Sequence, residues 1–321
     1  MQPAFLCHAG RDKAEGHLKK AFPFMNNLRG IGLMLFAMAG FATADAIIKA
    51  LTGRFPAGQI IMALGLGGVI FFGALMLKRG LPFFGAWSLN RVILARNLIE
   101  GCAAISFVTS LSLVELTVQA AIIQATPLIV TLGAALVLKE PVGWRRWSAV
   151  VLGLMGVLII LQPDATGISF GAFMAVIAAI CLAGRDVATR MVPKEASTEA
   201  LGLYGCLSLV IAALILGVTG PAFVMPEAAE WGWLIAASAF GSISYYAITS
   251  AMRVGEVSVL TPFRYMRLLF AMAFGIVFFG ERPGIWVYVG SAIVIGTGLY
   301  TIARERKRRS AETLSHTAKT S

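Results

Sequence analysis

The sequence predicts an all-α integral membrane protein: ten transmembrane helices arranged as two inverted five-helix repeats. Three observations carry this. Of the 321 residues, 58% are hydrophobic and 13% are charged, about half the charged share of a soluble domain. Ten segments approach the ~20 apolar residues that a helix needs to cross a bilayer. Polar residues also recur at a constant interval of 141 positions: Asp45 is answered by Asp186, Lys49 by Arg190, Gly30 by Gly171, Glu115 by Glu256 and Glu140 by Glu281.

The first five segments are 30–51, 57–77, 92–113, 118–138 and 146–162. The second five are 169–191, 199–218, 231–252, 257–279 and 285–303. Short connections with turn residues, such as "TGRFPAG" and "TGPAFVMPE", leave no room for a soluble domain. The expected layout is a tail at 1–28, repeats at 29–163 and 164–303, and a basic tail at 304–321. Residues 1–24 are mixed and polar, without the apolar core of a signal peptide.

The net charge of +11 is placed as a topology signal, not as a nucleic-acid surface. Lys78, Arg79, Arg91, Lys139, Arg145, Arg146, Arg190, Lys194 and Arg253 fall in alternate loops, and "ARERKRR" follows the last helix. The intervening loops hold Arg54 and Arg282. Basic loops stay cytoplasmic, so both termini are expected inside a bacterial inner membrane. Because five is an odd number, the second repeat enters from the opposite side, and inverted repeats of this kind bind substrate between the halves.

"LVLKEPVGW" at Leu136–Trp144 is mirrored by "VFFGERPGIW" at Val277–Trp286, and "GLMGVLII" at Gly153–Ile160 by "GSAIVIGTGLY" at Gly290–Tyr300. In these motifs the chain resembles the drug/metabolite transporter superfamily, in its EamA-type branch of ten-helix bacterial carriers. The family's usual Gly-Glu is here Lys139–Glu140. The resemblance implies transport of a small organic molecule by alternating access. The first helix, "GLMLFAMAGFATADAIIKAL", is similar to that of importers of riboflavin and of S-adenosylmethionine. Riboflavin or a related flavin is therefore the expected cargo, with S-adenosylmethionine uptake and amino-acid or drug export as the rivals. The resemblance implies no cofactor, and a monomer or homodimer.

Charges inside the bilayer cost about 2.5–3.5 kcal/mol each and mark function. Asp45–Lys49 and Asp186–Arg190 are i,i+4 neighbours able to neutralise themselves along one helix face. They fit either matched gates at opposite mouths or helix-end ion pairs. Arg96 and Glu100 form a third such pair, and Glu100 fits either proton coupling or a structural pair with Arg96. "PFRYMRLLF" at Pro262–Phe270 places Arg264 and Arg267 around Tyr265, where the first repeat has Ile123 and Thr126. These two arginines need anions, from Glu100, Asp186 or a substrate, unless they snorkel to the interface. Gln124, Tyr245 and Tyr246 supply an amide and rings suited to a polar aromatic cargo.

An intramembrane enzyme would need a nucleophile–base set or metal ligands in the bilayer. The three His lie in the tails, the four Cys have no metal-ligand spacing, and there is no H-E-x-x-H and no P-loop. The reading is therefore not an enzyme, with no metal site. A scaffold or sensor of similar architecture would bind without accumulating solute.

Overall fold

The computed structural model describes residues 6–85, 87–137, 143–162, 167–193, 195–254 and 257–320. All regular structure among them is helical, in chain order α1 (Leu6–Leu51), α2 (Ala57–Arg79), α3 (Arg91–Leu113), α4 (Leu116–Ile123), α5 (Thr126–Val137) and α6 (Trp144–Leu161). The second half comprises α7 (Phe170–Arg190), α8 (Thr198–Thr219), α9 (Ala228–Val254), α10 (Val257–Leu260), a 3-10 turn (Thr261–Tyr265), α11 (Met266–Phe279) and α12 (Ile285–Thr320). Glu140, Pro141, Glu256, Lys139 and Lys194 lie outside the described residues.

Nine stretches of the described residues are long and apolar enough to span a membrane, α4 and α5 together counting as one. The tenth position belongs to α6, whose apolar part, Trp147–Leu161, is shorter because Arg145 and Arg146 occupy its first turn. The helices at both chain ends run beyond the expected spans: α1 begins at Leu6 although its spanning part is Asn27–Leu51, and α12 continues past Arg304.

Packing follows the duplication. α1 lies along α9 as α3 lies along α7, while α2 pairs with its counterpart α8 and α6 with its counterpart α12. This reciprocity is what a two-fold relation between halves requires, and the odd number of crossings per half makes it an inverted one. The α6–α12 crossing brings backbones together: a Cβ on Gly156 would stand 3.0 Å from the carbonyl oxygen of Gly290. Small residues allow that approach where no hydrophobic force between helices exists.

The fourth helix of each half is broken, which the continuous spans 118–138 and 257–279 did not foresee. In the first half the break falls at Gln124–Ala125. Pro127 has no N–H to donate to Ile123, and the Thr126 hydroxyl takes that carbonyl instead, at 2.6 Å. In the second half, Pro262 opens the 3-10 turn, and α11 starts after Tyr265. Gln124 and Tyr265 are themselves 141 positions apart. The breaks meet: the Gln124 amide donates to the Arg264 carbonyl at 3.2 Å.

Candidate functional site

Beside the two breaks, α1, α3, α7, the 3-10 turn and α11 bring seven charged side chains into the bundle interior, all within spanning segments. Arg96 is the most buried, 2% exposed. It donates to the Thr189 hydroxyl at 3.1 Å, the Asn97 amide oxygen at 2.9 Å and the Leu201 carbonyl at 3.3 Å, and pairs with Glu100 at 3.2 Å. The i,i+4 pair expected within α3 therefore forms. Glu100 is shared, because Arg185 reaches its other oxygen at 2.9 Å.

Arg185 escaped the sequence reading, although it stands next to Asp186 inside an apolar helix. That adjacency was the available signal. Its Nη2 donates to Asp186 Oδ1 at 2.8 Å and its Nε at 3.1 Å. The other oxygen of Asp186 faces Arg264 at 4.0 Å. Arg264 thus meets one of its expected anions. Arg190 lies at the exposed end of α7.

The expectation for Asp45 and Lys49 is corrected. Asp45 receives Arg267 from the other half, its two oxygens at 2.9 and 2.7 Å. Lys49 turns to the end of α3 and donates to the carbonyls of Leu111 and Val114 at 2.7 and 2.6 Å. A planar fork matches a carboxylate better than a flexible ammonium on the same helix does, and the carbonyl end of a helix attracts a cation. Arg267 is also flanked by the rings of Phe41 and Phe107, 5.1 and 5.7 Å away. Such cation–π contacts make the buried guanidinium less costly.

The remaining candidates separate. Gln124 holds the break, as above. Tyr265 reaches α12, where Gly298 gives its hydroxyl room. Its hydroxyl is buried without a hydrogen-bond partner among the described residues. Tyr245 is within Coulombic reach of Arg96, Arg185, Glu100 and Asp186, with its ring edge-on to Phe72. Tyr246 belongs to a crevice of ≈190 Å³ near the end of α2, where Arg79 donates to its hydroxyl at 2.6 Å and also pairs with buried Glu199. The structure therefore joins Arg96, Glu100, Asp186 and Arg264 through Arg185, sets Asp45 with Arg267 as a second pair, and leaves Tyr246 outside both.

At the opposite end, the corner between α3 and α4 is clamped. Glu115 precedes α4 but makes no capping bond with its side chain. Glu281, arriving from the second half, accepts from the N–H groups of Leu116 and Thr117 at 2.6 and 3.0 Å. A carboxylate at a helix N-terminus satisfies otherwise orphaned donors. Lys49, Glu115, Glu281 and Arg282 line a wide opening there. Partial burial first, and the negative charge of Glu281 second, raise the Glu115 carboxyl above its ordinary range, with Lys49 opposing. Among the described residues no group of His, Cys, Asp and Glu could hold a metal ion.

Comparison with known proteins agrees with this architecture. The chain is 27% identical over 222 residues to a riboflavin transporter of Rhizobium johnstonii, spanning 68% of this chain and 71% of that protein. It is 24% identical over 287 residues to an S-adenosylmethionine uptake transporter of Rickettsia conorii, spanning 87% and 94%. A solved crystal structure shares the fold at a TM-score of 0.62 and 20% identity, over 87% of this chain and 98% of that one. The model of the EamA-like transporter family matches twice, at residues 28–162 and 169–303. With both halves matched, this multi-pass membrane protein belongs to the EamA-like transporter family.

Proposed function

We propose that this transporter takes up riboflavin or a related flavin across the bacterial inner membrane, with both termini in the cytoplasm. The observation that carries the site is the interior charge cluster. It is drawn from both halves, sits at two helix breaks and is flanked by Phe41 and Phe107. Discontinuous helices at the interface of inverted repeats are where carriers of this design hold cargo, and aromatic walls with a few convergent polar groups suit a ring system. The similarity to a riboflavin transporter supports the flavin. In this reading Lys49 and Glu281, which hold the two sides of the α3–α4 corner, close the outer mouth. Arg190, which matches Lys49 at the interval of 141, serves the inner one. Asp45–Arg267 and Glu100–Arg185 tie the halves together between the mouths.

The test is uptake of labelled riboflavin into vesicles from cells carrying the full chain. Accumulation that is lost on Asp45→Asn supports the reading, and binding without accumulation sinks it. S-adenosylmethionine is a second reading, because similarity to its uptake transporter extends over more of the chain. Competition by that compound against riboflavin uptake separates the two. A reporter at the C-terminus that fluoresces only in the cytoplasm tests the orientation.

A further inference from the structure

We infer that the cargo carries an acidic group, a carboxylate or a phosphate, and that this group docks on Arg264. The inference deepens the carrier reading, rests on it, and among the proposed flavins selects a phosphorylated one over uncharged riboflavin.

The interior cluster is not neutral. Among the described residues it sets four arginines, Arg96, Arg185, Arg264 and Arg267, against three carboxylates, Asp45, Glu100 and Asp186. One positive charge is in excess, in a region where each charge is expensive. The excess falls on one residue. Arg267 donates two parallel bonds to Asp45, Arg185 is spread over Glu100 and Asp186, and Arg96 has Glu100, Thr189, Asn97 and a backbone carbonyl. Among the described residues Arg264 has only Asp186 at 4.0 Å, outside hydrogen-bond distance, and that carboxylate already serves Arg185.

Arg264 is also the most open of the four, its side chain 33% exposed against 2% for Arg96, 19% for Arg185 and 21% for Arg267. Its main chain is fixed, with its carbonyl held by Gln124 from the other half. A fixed backbone with an under-used guanidinium fork is a prepared site for a two-oxygen anion. The duplication places Ile123 at the equivalent position, so the site exists once, as an asymmetric cargo needs. Asp186 is then the internal stand-in that an arriving anion displaces, which links binding to α7 of the second half. The same excess charge opposes a cationic cargo.

The experiment uses the purified full chain with two readouts. The first is ligand-induced thermal stabilisation by riboflavin and by flavin mononucleotide, which share a ring and differ by a phosphate. The expected result is half-maximal stabilisation at tenfold or more lower concentration for the phosphorylated probe. Arg264→Gln should erase that preference and Arg264→Lys should keep part of it. The second readout needs no cargo: a cysteine at Phe107, with the native cysteines replaced by serine, reacts with anionic and cationic methanethiosulfonates. The anionic reagent should be favoured, and Arg264→Gln should cut the ratio of rates at least threefold. An unchanged ratio, or an equal or better response to the uncharged flavin, overturns the inference. If neither flavin stabilises the protein, the flavin cargo falls, and the ratio of rates alone decides for or against the anion.

Discussion

Arg267 grips Asp45 across the boundary between the two halves, at 2.9 and 2.7 Å, although 222 residues separate them in the chain. The pair joins α1 to α11 where the Phe41 and Phe107 rings wall in the guanidinium. Removing one member of a buried pair leaves the other charge uncompensated, at a cost of about 3–5 kcal/mol when burial is complete. Arg267 keeps 21% exposure, which places the cost of Asp45→Asn toward the low end of that range. Thermal unfolding in detergent should show the loss. The double change Asp45→Leu with Arg267→Met should recover most of the stability but none of the uptake.

Glu100 is the shared anion of Arg96 and Arg185. Glu100→Gln should reduce initial uptake rates more than tenfold while leaving the protein in the membrane. Glu100→Asp, which keeps the charge but shortens the reach, should retain a measurable fraction. Comparing vesicles matched for protein content checks this. Equal rates in wild type and Glu100→Gln would remove Glu100 from the site.

Glu281 holds the first turn of α4 from the other half. Glu281→Ala should free that corner, and a cysteine placed at Val114 should then react several times faster with a membrane-impermeant maleimide. Gly275→Ala should act in the same direction, since its new methyl would meet the Glu281 carboxylate and the Thr117 hydroxyl.

Acidity should tighten the same corner. Partial burial and the nearby charge of Glu281 raise the Glu115 carboxyl, while Lys49 partly compensates and Arg282 lines the same opening. A carboxyl raised in the closed arrangement penalises that arrangement above its shifted pKa. The penalty disappears as the pH falls through that pKa. Labelling of the Val114 cysteine should therefore slow on acidification below neutrality, and Glu115→Gln should flatten the response.

Much of this was legible without coordinates. The helix positions followed from apolar length and the inverted repeat from the interval of 141, because a bilayer enforces both through local composition. The Arg96–Glu100 pair was legible for the same reason: its members share a helix face. Lys49 shows where such reasoning stops. Spacing offered it Asp45, but the α3 carbonyls lay nearer its ammonium in space. The breaks at Gln124 and Tyr265 were missed because each span is hydrophobic enough on average to cross the bilayer, and hydropathy registers solvent rather than backbone continuity.

By itself, then, the sequence determined a duplicated ten-helix membrane protein and the set of charges it must accommodate in the bilayer. Only the tertiary structure decided which acid meets which arginine. That Asp45 takes Arg267, and that Arg264 is left with a distant and already engaged Asp186, depends on where helices of different halves cross. Ion pairing falls off over a few ångströms of space, and separation along the chain carries no measure of that distance.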